Sequence, residues 1–178
     1  MSTTEIRRLF FALWPSDEVR SAVAGVQDQL HSGSGRLVSR ENLHVTLVFL
    51  GAADEASRRC VQSMAGAAYT GARFGLVLNT LGYWRKPQVL WLGGQHTPEA
   101  LLMLVAALQQ GAERCGFAVE CRPYEAHLTL SHKVERAPQN ISAMVTPIAW
   151  PVTSFCLVES VLHPEGTIYE VLQTWDLR

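Results

Sequence analysis

Apolar and polar positions along the chain follow two different periods, and the switches between them outline the elements. Ile6 to Leu13 (Ile-Arg-Arg-Leu-Phe-Phe-Ala-Leu) reads as a largely buried strand, ended by Trp14-Pro15. Ser16 is placed to cap a helix, with Asp17 and Glu18 at the positive end of its dipole and Val19, Val23, Val26 and Leu30 on one face. His31-Ser32-Gly33-Ser34-Gly35 stops that helix, and Arg36 to Arg40 forms a basic link. A second helix should start at Asp54 with Val61, Met64 and Ala68 inward. Phe74 to Leu78 then reads as a strand, Tyr83-Trp84-Arg85-Lys86-Pro87 as a loop, and Val89-Leu90-Trp91-Leu92 as a short buried strand stopped by Gly93-Gly94. Thr97-Pro98-Glu99 reads as a cap, a first-turn proline and an acid, opening a helix that buries Leu101, Leu104, Val105 and Leu108 and ends at Gly116. Phe117 to Cys121 leads to a further strand, and Ala137 to Pro151, with three prolines, reads as loop. Ser154–Val161 and Tyr169–Leu177 should be strands joined by His163-Pro164-Glu165-Gly166. The last would carry Tyr169, Val171 and Trp175 on one face and Glu170 and Asp176 on the other.

Within this pattern one tetrapeptide type occurs twice. His44-Val45-Thr46-Leu47 continues into Val48-Phe49-Leu50-Gly51, and His127-Leu128-Thr129-Leu130 opens the strand after the third helix. Strand side chains alternate, so each copy sets an imidazole and a hydroxyl on one face, about 7 Å apart, with apolar residues behind. The surroundings echo as well: Leu9 to Trp14 precedes a helix and the first motif, and Val89 to Leu92 precedes a helix and the second. Two such strand-helix-strand units predict pseudo-symmetric halves that bring both polar stripes to one central groove.

Composition narrows the class. A chain of 178 residues, 48% hydrophobic and 17% charged, has enough apolar material for one core, with no linker that would separate independent domains. Residues 1–178 are therefore expected to form a single two-lobed domain, a monomer. A net charge of -1 disfavours broad electrostatic binding to duplex nucleic acid. No apolar run is long enough for a membrane helix. Cys60, Cys115, Cys121 and Cys156 show neither a Cys-x-x-Cys pair nor zinc spacing. With no secretory signal at Met1-Ser2-Thr3-Thr4, they are expected as buried free thiols of a cytoplasmic protein.

Histidine gives and takes protons near neutral pH, so a facing pair can run an in-line displacement at phosphorus. One imidazole deprotonates the attacking water while the other protonates the leaving oxygen. Thr46 and Thr129 would hydrogen-bond the non-bridging oxygens as charge grows there. This scheme needs no metal or other cofactor, and no carboxylate-rich metal site is evident.

The paired motifs resemble the two-histidine phosphoesterase superfamily. More closely, the chain is similar to bacterial and archaeal RNA 2′,3′-cyclic phosphodiesterases, also called 2′-5′ RNA ligases. The matching pieces are Arg8-Leu9-Phe10-Phe11-Ala12, Asn42 to Leu47 with Phe49-Leu50-Gly51, Val89 to Gly93, and Ala126 to Leu130. Late in the chain Ser160, Gly166 and Tyr169 also match. The resemblance implies an α+β fold of two pseudo-symmetric lobes, each an antiparallel-rich sheet with helices on its outer face, around a central cleft. It implies hydrolysis of terminal 2′,3′-cyclic phosphates to 2′-phosphomonoesters, with His44 as proton donor to the 3′ oxygen and His127 as proton acceptor from water. It also implies the reverse, ATP-independent 2′-5′ ligation. Substrates would be RNA ends, tRNA among them, or small nucleotides with a 2′,3′-cyclic phosphate.

Two positions depart from the family pattern. Ala126 stands where members carry proline, and His132 stands where many carry a phosphate-contacting arginine. Protonated His132 or the adjacent Lys133 is expected to take that arginine's place, without its bidentate fork. Tyr124 is a candidate base-stacking residue, as are Tyr83 and Trp84, the last better explained as packing. One of Phe10 and Phe11 should face the cleft, and Phe11 is counted with the substrate-binding residues. Arg36, Arg40, Arg85 and Lys86 are candidate RNA-backbone contacts, while His31, His96 and His163 sit at element ends with no site role expected. Two other functions fit the residues: a phosphoesterase for a 2′-5′ oligoadenylate or an ADP-ribose cyclic phosphate, and a non-catalytic RNA-end binder.

Overall fold

The structure is a computed structural model and describes residues 7–30, 35–68, 71–120, 122–137, 145–163 and 166–178. Its first strand, β1 (Arg7–Leu13), buries Leu9, Phe10, Phe11, Ala12 and Leu13, so both faces are covered. It runs antiparallel between β3 (Val45–Ala52) and β9 (Ser154–His163), with β10 (Gly166–Asp176) on the far side of β9. In the other half, β7 (His127–His132) pairs with β6 (Val89–Gly93), β6 with β5 (Thr80–Trp84), and the short β2 (Arg36–Leu37) with β7. Among the described residues the halves meet at one strand pair, Val45 opposite Leu128. A seam that narrow leaves the rest of β3 and β7 free to diverge, which opens a groove at the centre of the molecule. A second sheet pairs β4 (Phe74–Leu78) with β8 (Ile148–Val152).

The helices close this seam. α1 (Asp17–Asp28) follows β1 yet packs against β8 in the other half. Buried Gln27 on α1 donates to the carbonyls of Val38 (2.9 Å) and Leu130 (3.0 Å). Each bond contributes about 1 kcal/mol net, and the Leu130 carbonyl also accepts from the Val38 N–H at 2.9 Å. α3 (Glu99–Arg114) follows β6 yet packs on β3, beside α2 (Glu55–Ala68). Each strand-helix-strand unit therefore lends its helix to the opposite half, and the lobes cannot separate without exposing a helix face. The starts of α1 and α2 carry side-chain caps. Ser16 accepts from Val19 N–H (3.4 Å) and Asp54 from Ser57 N–H (2.8 Å). Gly116, at φ +85°, turns the chain after α3 so that Gly116 and Phe117 N–H reach the carbonyls of Glu113 and Ala112.

Several expectations need correction. Tyr83 and Trp84 lie in β5, not in a loop, and Ile148–Val152 is a strand with Trp150 buried. Pro151 is accommodated because, among the described residues, β8 has a partner on one side only. The basic link contains β2. Pro98, not Thr97, is the cap of α3, with no side-chain bond. Cys60 and Cys115 are joined in a disulfide, because α2 and α3 set their Cα atoms 5.7 Å apart. Their spacing of 55 residues gave no local sign of it. Cys156 is the buried free thiol expected, and Cys121 and His31 lie outside the described residues. Trp175 does not share a face with Tyr169. A register shift between Val171 and Gln173 flips the alternation, so Tyr169 turns to Phe10 while Trp175 stacks on Phe155 beneath the sheet.

Candidate active site

The groove's chemistry is set by two bulges in β3. Opposite β1 the pairs run Ala12 with Thr46, Phe11 with Val48, Phe10 with Phe49 and Leu9 with Gly51, so β3 carries an extra residue at Leu47 and again at Leu50. The first bulge resets the alternation and turns Phe49 to the side that Phe10 shares with His44. Phe10 is therefore the phenylalanine at the site. Phe11, counted above among the substrate-binding residues, points the other way, fully buried against Phe155 and Trp175.

His44 sits in an aromatic box. Phe10 (5.0 Å between ring centroids) and Tyr169 (5.2 Å) flank it, and Trp14 stacks on it at 5.6 Å with an interplanar angle of 13°. Arg20 lies 5.9 Å from the Trp14 ring and donates to the carbonyls of Pro15 and Arg40, which steadies that indole. His44 Nδ1 lies 2.7 Å from the carbonyl of Asn42; a carbonyl only accepts, so Nδ1 carries the proton and Nε2 is the functional nitrogen. Nε2 lies 3.0 Å from Thr46 Oγ1. Asn42 is itself tied down by its amide, which donates to the carbonyl of Thr167.

His127 repeats the device. Its Nδ1 lies 2.8 Å from the carbonyl of Glu125, again two residues upstream, and the edge of Trp84 meets it at 4.5 Å with Trp91 behind. Trp91 in turn lies flat over Gly82, where any side chain would collide with the indole. Burial pushes His44 down to about 4, opposed by the Asn42 carbonyl and reinforced by a charge on His127. Burial also lowers His127, opposed by the Glu125 carbonyl and carboxylate. Both imidazoles thus favour the neutral form until an anion arrives.

Two cavities flank this pair. One, of about 370 Å³, is lined by Arg36, His44, Thr46, Thr129, His132 and Tyr169, among others. The other, of about 340 Å³, opens beside His127 and shares Thr46. All four motif residues are thus gathered at one place. Arg36 faces His132 in register across β2 and β7, so the cation of the first cavity comes from the basic link. His132 itself is exposed, and its pKa is lowered by burial and by the Arg36 charge, which weakens it as a phosphate-binding cation near neutrality. Lys133 lies just past β7 and lines neither cavity, as do Arg85 and Lys86 in the turn after β5. Arg40 is paired with Asp28 (3.1 Å). Tyr124 lines the second cavity but spends its hydroxyl on the carbonyl of Thr46 (3.0 Å), and burial raises its pKa. It braces the motif strand across the groove. Trp14, Phe49 and Trp91 were not singled out by the sequence for the site, and Trp84 was set down as packing. A helpful sign was present: a tryptophan directly follows the first motif's partner strand and another lies within the second's.

Comparison with known proteins places the chain in a family. The family model of the 2′-5′ RNA ligase superfamily matches residues 15–163. The RNA 2′,3′-cyclic phosphodiesterase of Escherichia coli is 30% identical over 177 residues, covering 98% of both chains. That of Thermus thermophilus is 31% identical over 182 residues, covering 96% of this chain and 90% of the relative. Among solved structures, E. coli LigT in its apo form superposes with a TM-score of 0.85 at 30% identity, over 98% of this chain and 99% of LigT. By sequence and fold the chain belongs to the 2′-5′ RNA ligase superfamily.

Proposed function

We propose that the chain is an RNA 2′,3′-cyclic phosphodiesterase that hydrolyses terminal cyclic phosphates to 2′-phosphomonoesters, with its 178 residues acting as one two-lobed catalytic unit. The observation that carries this reading is the matched pair of imidazoles. Each has Nδ1 fixed on a carbonyl two residues upstream, which directs Nε2 to a groove that also holds Thr46 and Thr129. A water beside His127 gives its proton to Nε2 and attacks phosphorus. The P–O3′ bond opens on the opposite side, and the 3′ oxygen takes a proton from His44 Nε2. Thr46 Oγ1 lies 3.0 Å from His44 Nε2 in the free protein; with the Nε2 proton directed to the 3′ oxygen, the Thr46 hydroxyl donates to a non-bridging oxygen. Thr129 serves another. We place the anion contact on Arg36, whose planar fork suits two phosphoryl oxygens, in preference to His132 or Lys133.

The curated relatives are named for this reaction. RNA ends, rather than duplexes, fit a cavity of single-nucleotide size and a net charge of -1. With a 5′-hydroxyl in place of water, the same site would join two ends through a 2′-5′ linkage. The test is turnover of an oligonucleotide ending in a 2′,3′-cyclic phosphate, in EDTA, with the product identified by phosphorus NMR. A 2′-phosphate is expected; a 3′-phosphate, or activity restored only by added metal, refutes the scheme.

A further inference from the structure

Arg36 stands on a strand too short to hold itself. β2 is two residues long, and both are exposed. Its own ladder to β7 consists of Arg36 opposite His132 and Leu37 opposite Ser131. What seats it lies at its two ends. Before it, Gly35 (φ +75°) runs so close to β7 that a Cβ there would collide with the His132 carbonyl oxygen. After it, Val38 N–H donates to the Leu130 carbonyl at 2.9 Å. The Gln27 amide, 4% exposed, spans this second joint, with Nε2 donating to the carbonyls of Val38 and Leu130. A carbonyl only accepts, so the two bonds use both protons of Nε2.

Leu130 is not an ordinary strand position. β6 pairs Trp91 with Thr129 and Leu90 with Ser131, so β7 carries an extra residue at Leu130. The bulge resets the alternation. Thr129 and His132 both line the first cavity, while Leu130 and Ser131 between them are fully buried. Arg36 is in register with His132, so the same bulge sets Arg36 on the groove side. Thr129 is held by its pairing with Trp91 on the β6 side. Among the described residues β2 pairs with β7 alone, so the position of Arg36 depends on how the link sits on the bulge.

We propose that Gln27, which lines neither cavity of the site, is a positioning residue for substrate binding. It clamps the Leu130 bulge to the basic link and so sets the Arg36 guanidinium against the phosphoryl oxygens. The inference rests on the cyclic phosphodiesterase reading and on Arg36 as the anion contact. Without the amide, β2 loses its tie to α1 and shifts on β7, and Arg36 moves with it. The residues that follow have holds of their own: Arg20 donates to the Arg40 carbonyl at 2.7 Å, and the Asn42 amide to that of Thr167. His44 and His127 keep their carbonyl partners at Asn42 and Glu125. The loss therefore falls on binding and spares turnover.

The experiment measures kcat and KM of the full chain on a cyclic-phosphate-ended oligonucleotide, with inorganic phosphate as competing anion. Wild type, Gln27→Met, Arg36→Ala and the double variant are compared; methionine keeps the length of the side chain and removes the donor. Gln27→Met should raise KM and the phosphate inhibition constant roughly fivefold, the scale of one hydrogen bond, with kcat within about twofold. In the Arg36→Ala background it should add less than about twofold, because both substitutions act through one contact. Gly35→Ala pushes the link off β7 from its other end and should reproduce both results; it decides the matter if Gln27→Met does not fold. Stability falls in Gln27→Met on any account of its role, so KM is the quantity that tells positioning from packing. A KM unchanged in Gln27→Met, or a rise that multiplies in full with that of Arg36→Ala, overturns the positioning role and leaves the functional reading standing. Arg36→Ala with a wild-type KM removes the contact to be positioned and overturns it too. A wild-type chain that hydrolyses no cyclic phosphate overturns the functional reading, and this role with it.

Discussion

Lowering the pH should destabilise the folded chain through His44 in a way that His44→Gln does not share. The imidazole has an ordinary pKa of 6.5 when the chain is unfolded and about 4 in its aromatic box. Between those values the unfolded state binds a proton that the folded state refuses, so stability falls as pH falls. One pH unit of separation corresponds to about 1.4 kcal/mol, so the cost approaches about 3.5 kcal/mol well below pH 4 and is already about 2.5 kcal/mol at pH 4.5. The sign is fixed by the cause, because burial opposes the charged form, and the loss fades out as pH rises past 7. Urea titrations at steps from pH 7 to 4.5 measure it directly, with both proteins compared at each step. Wild type should lose about 2.5 kcal/mol more than His44→Gln over that range, while the lowered His127 contributes alike to both. Inorganic phosphate, by stabilising the imidazolium in the groove, should shrink the difference. Parallel curves for the two proteins would show that His44 is solvated and that the box does not hold it neutral.

The remaining expectations concern turnover. His44→Ala and His127→Ala should each cost roughly 10² or more, the usual range for a positioned acid or base, and the double variant far less than the product of the two. Near-normal turnover in either single variant would refute the paired scheme. Thr46→Val and Thr129→Val should lower kcat with the fold intact by circular dichroism, since valine keeps the branched shape and removes the donor; an unfolded variant would make that hydroxyl structural instead. Arg36→Ala should raise KM about tenfold, the value of a charge-assisted contact, with His132→Ala within about threefold of wild type at every pH from 5.5 to 8.5. The reverse order, with a KM that climbs with pH only while His132 is present, would return the anion contact to His132.

Much of this site could be read in the sequence because its signals are local. Alternation within His-x-Thr-x puts imidazole and hydroxyl on one face whatever the tertiary context, and the starts of α1 and α2 are written in Ser16 and Asp54. The features that could not be read are those decided by pairing. Nothing in Thr80–Trp84 announces a strand, because Gly82 is there to let Trp91 lie across it, a requirement imposed by the neighbouring strand. Phe10 and Phe11 are equivalent until the β3 bulges assign one to the groove. Arg36 looked like one basic residue among several, and only the register of β2 on β7 sets it opposite His132. The Cys60–Cys115 bridge likewise depends on two helices meeting far from each other in sequence.

The two motifs are equivalent as sequence, yet their surroundings make them chemically unequal, and the inequality bears on which histidine donates. His44 is enclosed by Phe10, Trp14 and Tyr169, while His127 has the Glu125 carboxylate to favour its charged form. Once protonated, His44 is the stronger acid and so the better donor to a poor alkoxide leaving group. His127, the more basic of the pair, is the better acceptor. The same inequality works against the reaction in the free protein, because a single shared proton prefers His127. Reactivity grows only as a fraction of acid strength, whereas the population of the correct form falls with the whole pKa difference, so strengthening the acid cannot by itself raise the rate. The arrangement becomes productive when bound phosphate offsets the burial of His44 and draws the proton to it. The consequence is a separation of two pH profiles. The alkaline limb of kcat, which reports the complex, should lie at higher pH than that of kcat/KM, which reports the free protein. Coincident limbs would mean that the substrate's charge does not set the protonation of the pair.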